Sequence, residues 1–178
     1  MRILVISGSL DPESRSYVLA RHALQTLQGR GVEAEWIDLR EMEVPLCDGT
    51  QNSKGGDVMR LREAIEVADG VLVAAPIYNF DVSAAIKNLV EQTGQAWTDK
   101  TVGFLCAAGG RASYMSVMAM ANSLMLDFRC VIVPRFVYAT DDDFSDQGTE
   151  ALVISSDEVA ERVDELAAEV VRLAGATA

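Results

Sequence analysis

The chain has 178 residues, 49% of them hydrophobic, 24% charged and only 4 proline, which is enough apolar surface for one domain to fold alone and predicts one domain rather than two. Fifteen Lys and Arg against 27 Asp and Glu give a formal charge of −12, which repels a phosphate backbone and disfavours nucleic acid as a partner. The apolar run from Ile3 to Ile6 is shorter than the ~7 to 15 residues of a signal-peptide core, and no later run approaches the ~18 that cross a bilayer, so a soluble cytoplasmic protein without a membrane partner is expected.

Ile3 to Ile6 is an unbroken aliphatic run, the pattern of a strand buried on both faces, and predicts a strand over 2–7. Tyr17, Ala20, Leu24 and Leu27 recur every three or four positions and predict a helix over 14–29, with Gly29 and Gly31 as its stop. A strand over 32–38 follows, then a long polar loop over 41–56 and a helix over 57–68. Val71 to Ala75 predicts a strand over 70–75, and a helix over 81–94 stops at Gly94. The next pair is a strand over 101–107 and a helix over 112–126, on which Met118 and Met125 share a face suited to the core or to a subunit contact. Cys130 to Val133 opens a strand over 130–138. A second polar loop over 140–148 carries Asp141, Asp142 and Asp143, read as a solvated face. The final helix, over 156–174, has Val159, Val163, Leu166, Val170 and Leu173 on one side and Ser155 or Ser156 as its N-cap.

Five strand–helix units of this length predict an α/β fold with an open, doubly wound parallel sheet, helices on both faces and right-handed crossovers, as a single domain over 1–178. Ligands bind such sheets at the carboxyl ends of the strands, which directs attention to three loops. The first, Gly8 to Ser16, sets Ser9, Ser14, Arg15 and Ser16 where a strand ends and a helix begins, so hydroxyls, free amides, the helix dipole and a guanidinium together suit an anion. Equally, Ser14 suits a plain helix cap and Arg15 a surface charge. The second, with Pro76, Ile77, Tyr78, Asn79 and Phe80, offers aromatic surface and amides to a flat heterocycle, or ordinary packing residues. The third, Gly109, Gly110 and Arg111, lets backbone approach a ligand closely with a cation beside it, or forms a tight turn capped by Ser113. Neither a Walker-type phosphate loop nor a G-x-G-x-x-G fingerprint occurs.

Taken together, Gly8-Ser9-Leu10, Ser14-Arg15-Ser16-x-x-Leu19, Ala75-Pro76-Ile77-Tyr78-Asn79, Ala85-Ile86-Lys87-Asn88 and Gly109-Gly110 resemble the NADPH-dependent FMN reductase family over roughly residues 1–140. The resemblance implies a flavodoxin-like five-stranded sheet of order 2-1-3-4-5. It further implies FMN, with its phosphate on Ser9, Ser14, Arg15 and Ser16, its ring against Pro76, Ile77, Tyr78 and Asn79, and Gly109, Gly110 and Arg111 at its pyrimidine edge. The implied activity is transfer of hydride from NADPH or NADH to the flavin, then of electrons to free flavin, a quinone, an azo compound or a similar acceptor, with no obligatory side-chain acid or base and Arg111 stabilising the reduced ring. A homodimer or homotetramer is implied as well, with a neighbouring subunit completing the nicotinamide pocket. Where the family often places an arginine two residues after its first serine, this chain has Asp11, a carboxylate disfavoured beside a phosphate.

Two other readings are a flavodoxin-type FMN electron carrier without nicotinamide activity, whose short Thr-rich phosphate loop this chain does not match, and a flavin-free interaction domain. His22, without a recognisable partner, reads as surface or packing, and Cys106 as core. Cys47, Cys106 and Cys130 are too scattered for a disulfide framework, and no metal-ligand spacing is present, so no metal is expected.

Overall fold

A computed structural model of the chain describes residues 1–49 and 55–177; part of the predicted 41–56 loop lies outside them. The elements run β1 (Arg2–Ser7), α1 (Arg15–Gly29), β2 (Glu33–Asp38), α2 (Val58–Val67), β3 (Gly70–Tyr78), β4 (Asp81–Val82), α3 (Ala84–Thr93), β5 (Thr101–Ala107), α4 (Met118–Phe128), β6 (Val131–Ile132), β7 (Val137–Ala139), β8 (Phe144–Ser145), β9 (Val153–Ile154) and α5 (Asp157–Thr177). The parallel sheet has the order β2-β1-β3-β5 followed by β6 and β7, both on β5, which is the expected 2-1-3-4-5 with its last strand divided.

Alternation along the strands sorts the core into two layers. Ile3, Val5, Leu72, Ala74, Leu105 and Ala107 pack beneath α1 and α5, whereas Leu4, Ile6, Val71, Val73, Phe104 and Cys106 face α2, α3 and α4. Gly103 lets α5 lie close to the sheet, because a Cβ there would sit 2.8 Å from Val170 Cγ2 and 2.9 Å from Leu72 Cδ2.

Several points differ from the sequence reading. The strand over 130–138 is two pieces, since Pro134 offers no N–H to the ladder and Arg135 takes a left-handed φ of 59°, so the edge bulges between Ile132 and Val137. The helix expected from 81 begins at Ala84, because Asp81 and Val82 turn back to pair antiparallel with Tyr78 and Ile77. Residues Arg111–Val117 form a 3₁₀ segment before α4. On α4 the buried side chains are Met120, Ala121, Leu124 and Phe128, leaving Met125 exposed and Met118 half-buried. The caps match expectation: Ser156 Oγ accepts from Val159 N at 3.3 Å, and Gly31 and Gly94 have positive φ at helix ends.

Candidate active site

The first loop shapes itself through its short polar side chains. Ser9 Oγ accepts from the Asp11 amide at 3.1 Å, and Asp11 Oδ1 accepts from the Glu13 amide at 3.0 Å, two local turns that carry the chain outward from β1. Ser14 caps α1 by accepting from Tyr17 N at 3.2 Å, and its hydroxyl lies 2.9 Å from that of Ser16, both side chains buried. The remaining first-turn amides of α1 have no acceptor within the helix. A Cβ on Gly8 would overlap Ile86 and sit 2.8 Å from the Ala74 carbonyl, so only glycine lets this loop pass under α3.

Arg40 braces the same loop from the end of β2. Its guanidinium donates to the buried Asp38 carboxylate, including Nη2 to Oδ2 at 2.5 Å, and to the Pro12 carbonyl at 3.2 Å, while lying 4.2 Å from the Tyr17 ring centroid. The Asp38 carboxylate raises the Arg40 pKa above its ordinary value. The sequence reading did not single out Arg40; its spacing two residues after Asp38 at a strand end was the available signal.

The second loop is a hairpin rather than a simple strand-to-helix connector. Asn79 and Phe80 have φ of 51° and 66° between the paired Tyr78 and Asp81, the conformation of a type I′ turn. Phe80 lacks the freedom of the glycine usually found there, yet the residue is 67% exposed, beside a Tyr78 that is 53% exposed. Pro76 lies opposite Ala107 at the end of the parallel ladder, and its carbonyl accepts from Ser83 N at 3.1 Å.

In the third loop, a Cβ on Gly109 or Gly110 would meet open space. Tyr138 Oη donates to the Gly110 carbonyl at 2.5 Å and pairs with Ser113 Oγ at 2.8 Å, which ties this loop to the end of β7.

A cleft of about 260 Å³ joins the three loops at the carboxyl end of the sheet, lined by Asp11, Glu13, Ser14, Arg15, Ser16, Pro76, Ile77, Tyr78, Ala107, Ala108 and Gly109. Seven of the expected site residues thus meet. Ser9 and Asn79 shape their loops without lining the cleft, as does Gly110, and Arg111 lines a neighbouring cleft with Tyr114, Tyr138 and Arg162. Arg15 is ion-paired with Asp141, so the acidic run is not merely solvated; Asp143 in turn accepts from Thr140 N at 2.8 Å and Oγ1 at 3.1 Å. A larger cavity of about 490 Å³ lies between α5 and the Pro134–Arg135 bulge, but it has no helix N-terminus, and its Arg172 already binds Glu169.

The donor set fits a flavin phosphate at one end: two buried hydroxyls, first-turn amides and a guanidinium. At the other end, Pro76 to Tyr78 and Ala107 to Gly109 form two apolar walls without long side chains from the third loop, which fits a flat ring. Asp11, Glu13 and Asp141 oppose the phosphate electrostatically.

Outside the cleft, His22 Nε2 lies 3.0 Å from Asp164 Oδ1, a partner from α5 that also bonds Thr26, so this group ties α1 to α5. Burial pushes the Cys106 thiol far above its ordinary pKa, consistent with a core residue. Among the described residues, no helix is long and apolar enough to cross a membrane.

Fold and cleft define the class: a flavodoxin-like α/β protein with a serine-lined anion cradle beside an aromatic slot. The family model for NADPH-dependent FMN reductases matches residues 1–144, and the chain belongs to that family. The NAD(P)H-dependent FAD/FMN reductase of Geobacillus thermodenitrificans is 30% identical over 177 residues, 97% of this chain and 93% of that protein. An NADPH:quinone oxidoreductase of Arabidopsis thaliana is 29% identical over 143 residues, 76% of this chain and 73% of that one. Among solved structures, FerB, a flavoenzyme NAD(P)H:(acceptor) oxidoreductase from Paracoccus denitrificans, superposes with a TM-score of 0.75 at 19% identity, covering 98% of this chain and 97% of that chain. The chain is accordingly an oxidoreductase of the NAD(P)H-dependent FMN reductase type, with flavin and nicotinamide as its cofactors.

Proposed function

We propose that the 178-residue chain is a single cytoplasmic FMN-binding domain that takes electrons from NADPH or NADH and delivers them to free flavin, a quinone, an azo compound or a similar small acceptor. The observation that carries this reading is the pair of buried hydroxyls of Ser14 and Ser16, 2.9 Å apart at the start of α1 and facing one end of the cleft between Pro76–Tyr78 and Ala107–Gly109. Ser14, Arg15, Ser16 and the first-turn amides hold the phosphate, and Ser9 sets the loop by accepting from the Asp11 amide. Pro76, Ile77 and Tyr78 support the ring, with Asn79 fixing the turn that aims them. Gly109 keeps the opposite wall low with Gly110 next to it in the loop, and Arg111 supplies positive charge from the neighbouring cleft. When bound, FMN supplies the two-electron chemistry, so the chain's own work is binding, orientation and electrostatics, without a side-chain acid or base.

A homodimer or homotetramer accords with the exposed Leu10, Tyr78, Phe80, Tyr114 and Met115, on the first loop, the β3–β4 hairpin and the 3₁₀ segment before α4, which a second subunit would cover while completing the nicotinamide pocket. Three unpaired cysteines accord with a reducing compartment. The test is an FMN titration followed by NADPH and NADH oxidation with and without FMN. Saturable binding and FMN-dependent oxidation are expected; absence of both overturns the proposal.

A further inference from the structure

Among the described residues, Arg15 is the one cation lining the cleft, and it is ion-paired. Asp141 pairs with it, and Asp11 and Glu13 line the same space, so these four side chains sum to a net negative charge where an anion is to bind. Asp141 is held there by design of its backbone. It begins a 3₁₀ turn after β7 that Thr140 and Asp143 close on each other, and its carbonyl accepts from Gln147 Nε2 at 2.8 Å. Its carboxylate is otherwise half free: the side chain is 51% exposed, against 28% for Arg15, so a change of rotamer releases the guanidinium without unfolding the turn.

We infer that Asp141 is an affinity-setting residue of the phosphate site that stands in for phosphate on Arg15, so that binding of FMN, unlike that of riboflavin, is an exchange of anions. This rests on the phosphate assignment under Proposed function. A dianionic phosphate offers the guanidinium more charge and more acceptor oxygens than a carboxylate, so the exchange runs toward FMN, yet the affinity is reduced by the fraction of molecules in which Asp141 already occupies Arg15. Riboflavin has no anion to compete with and is indifferent to Asp141.

Flavin fluorescence titrations of the full chain and of Asp141→Asn, Arg15→Ala and the double variant, each with FMN and with riboflavin, test this. Asp141→Asn is expected to tighten FMN about fivefold and leave riboflavin unchanged, as loss of one half-exposed ion pair allows. Arg15→Ala is expected to weaken FMN and to abolish the effect of the Asn substitution in the double variant. Should Asp141→Asn leave FMN affinity unchanged, or tighten both flavins alike, while Arg15→Ala still weakens FMN, the inference falls and the phosphate assignment stands. Should Arg15→Ala have no effect on FMN, both fall. Melting curves accompany each variant, and Asp141→Ser replaces the Asn form if the latter does not fold, with the same expectations.

Discussion

Arg40 donates from Nη1 to the Pro12 carbonyl, 3.2 Å away, and so connects the end of β2 to the loop that begins α1. The same guanidinium neutralises Asp38, whose side chain is almost wholly buried. One residue therefore holds both a buried carboxylate and the outer turn of the loop before α1.

Removing that cation strands a charge. Arg40→Ala should cost about 3 kcal/mol, the usual scale for breaking one side of a buried pair, and should also weaken FMN because Pro12 and Tyr17 lose their brace. Arg40→Lys keeps the charge but not the fork, and should recover only part of either loss. Thermal melts and FMN titrations measure the two effects side by side; an Arg40→Ala variant with wild-type flavin affinity would dissociate Arg40 from the site.

Gly8→Ala should destabilise the chain by about 1 to 3 kcal/mol, since its Cβ overlaps Ile86 and presses on the Ala74 carbonyl. Ile86→Val removes Cδ1, one of the two overlapping atoms, so the double variant should regain part of the lost melting temperature. If the two substitutions simply add, the contact is not the cause.

Phe80 carries a left-handed φ in a turn where glycine is preferred. Phe80→Gly should raise stability by about 1 kcal/mol through relief of that strain. It should also raise KM for the nicotinamide or the acceptor, because the exposed ring beside Tyr78 is lost. A melting temperature that falls instead would mean that the ring contributes more to folding than the turn costs.

Burial raises the Cys130 thiol from an ordinary 9.0 to about 11, and raises Cys106 further still. A thiol raised in the folded state stays protonated there while the unfolded chain ionises, so its full stability is present below pH 9 and is lost as pH climbs toward 11. Melting temperature should decline over that interval, less steeply in Cys130→Ala compared at matched initial stability. In thiol labelling at neutral pH, the half-buried Cys47 should react first and the other two only on unfolding.

Much of this was legible from residue order. Aliphatic runs at Ile3, Val71 and Val102 locate strands buried on both faces because each side of the sheet is covered by helices. Ser14 reads as a cap because its chemistry is local: a short hydroxyl three residues before an amide it can reach. The hairpin at Asn79 and Phe80 was hidden because Asn-Phe is not the Asn-Gly that marks such turns, and the bulge at Pro134 because a continuous apolar start at Cys130 masks it.

Composition and periodicity alone determined the α/β class, the strand–helix alternation and the three loops, since each depends on which side of a strand or helix turns away from water. Tertiary packing decided what those loops do to one another. Arg15 meets Asp141 because α1, α5 and β7 bury apolar side chains in the same layer, bringing the turn after β7 beside the start of α1, while Arg111, two residues beyond Gly109, turns into the neighbouring cleft. Contacts between residues far apart in the chain follow from the area those helices remove from solvent, a property of the assembled layers that no local pattern carries.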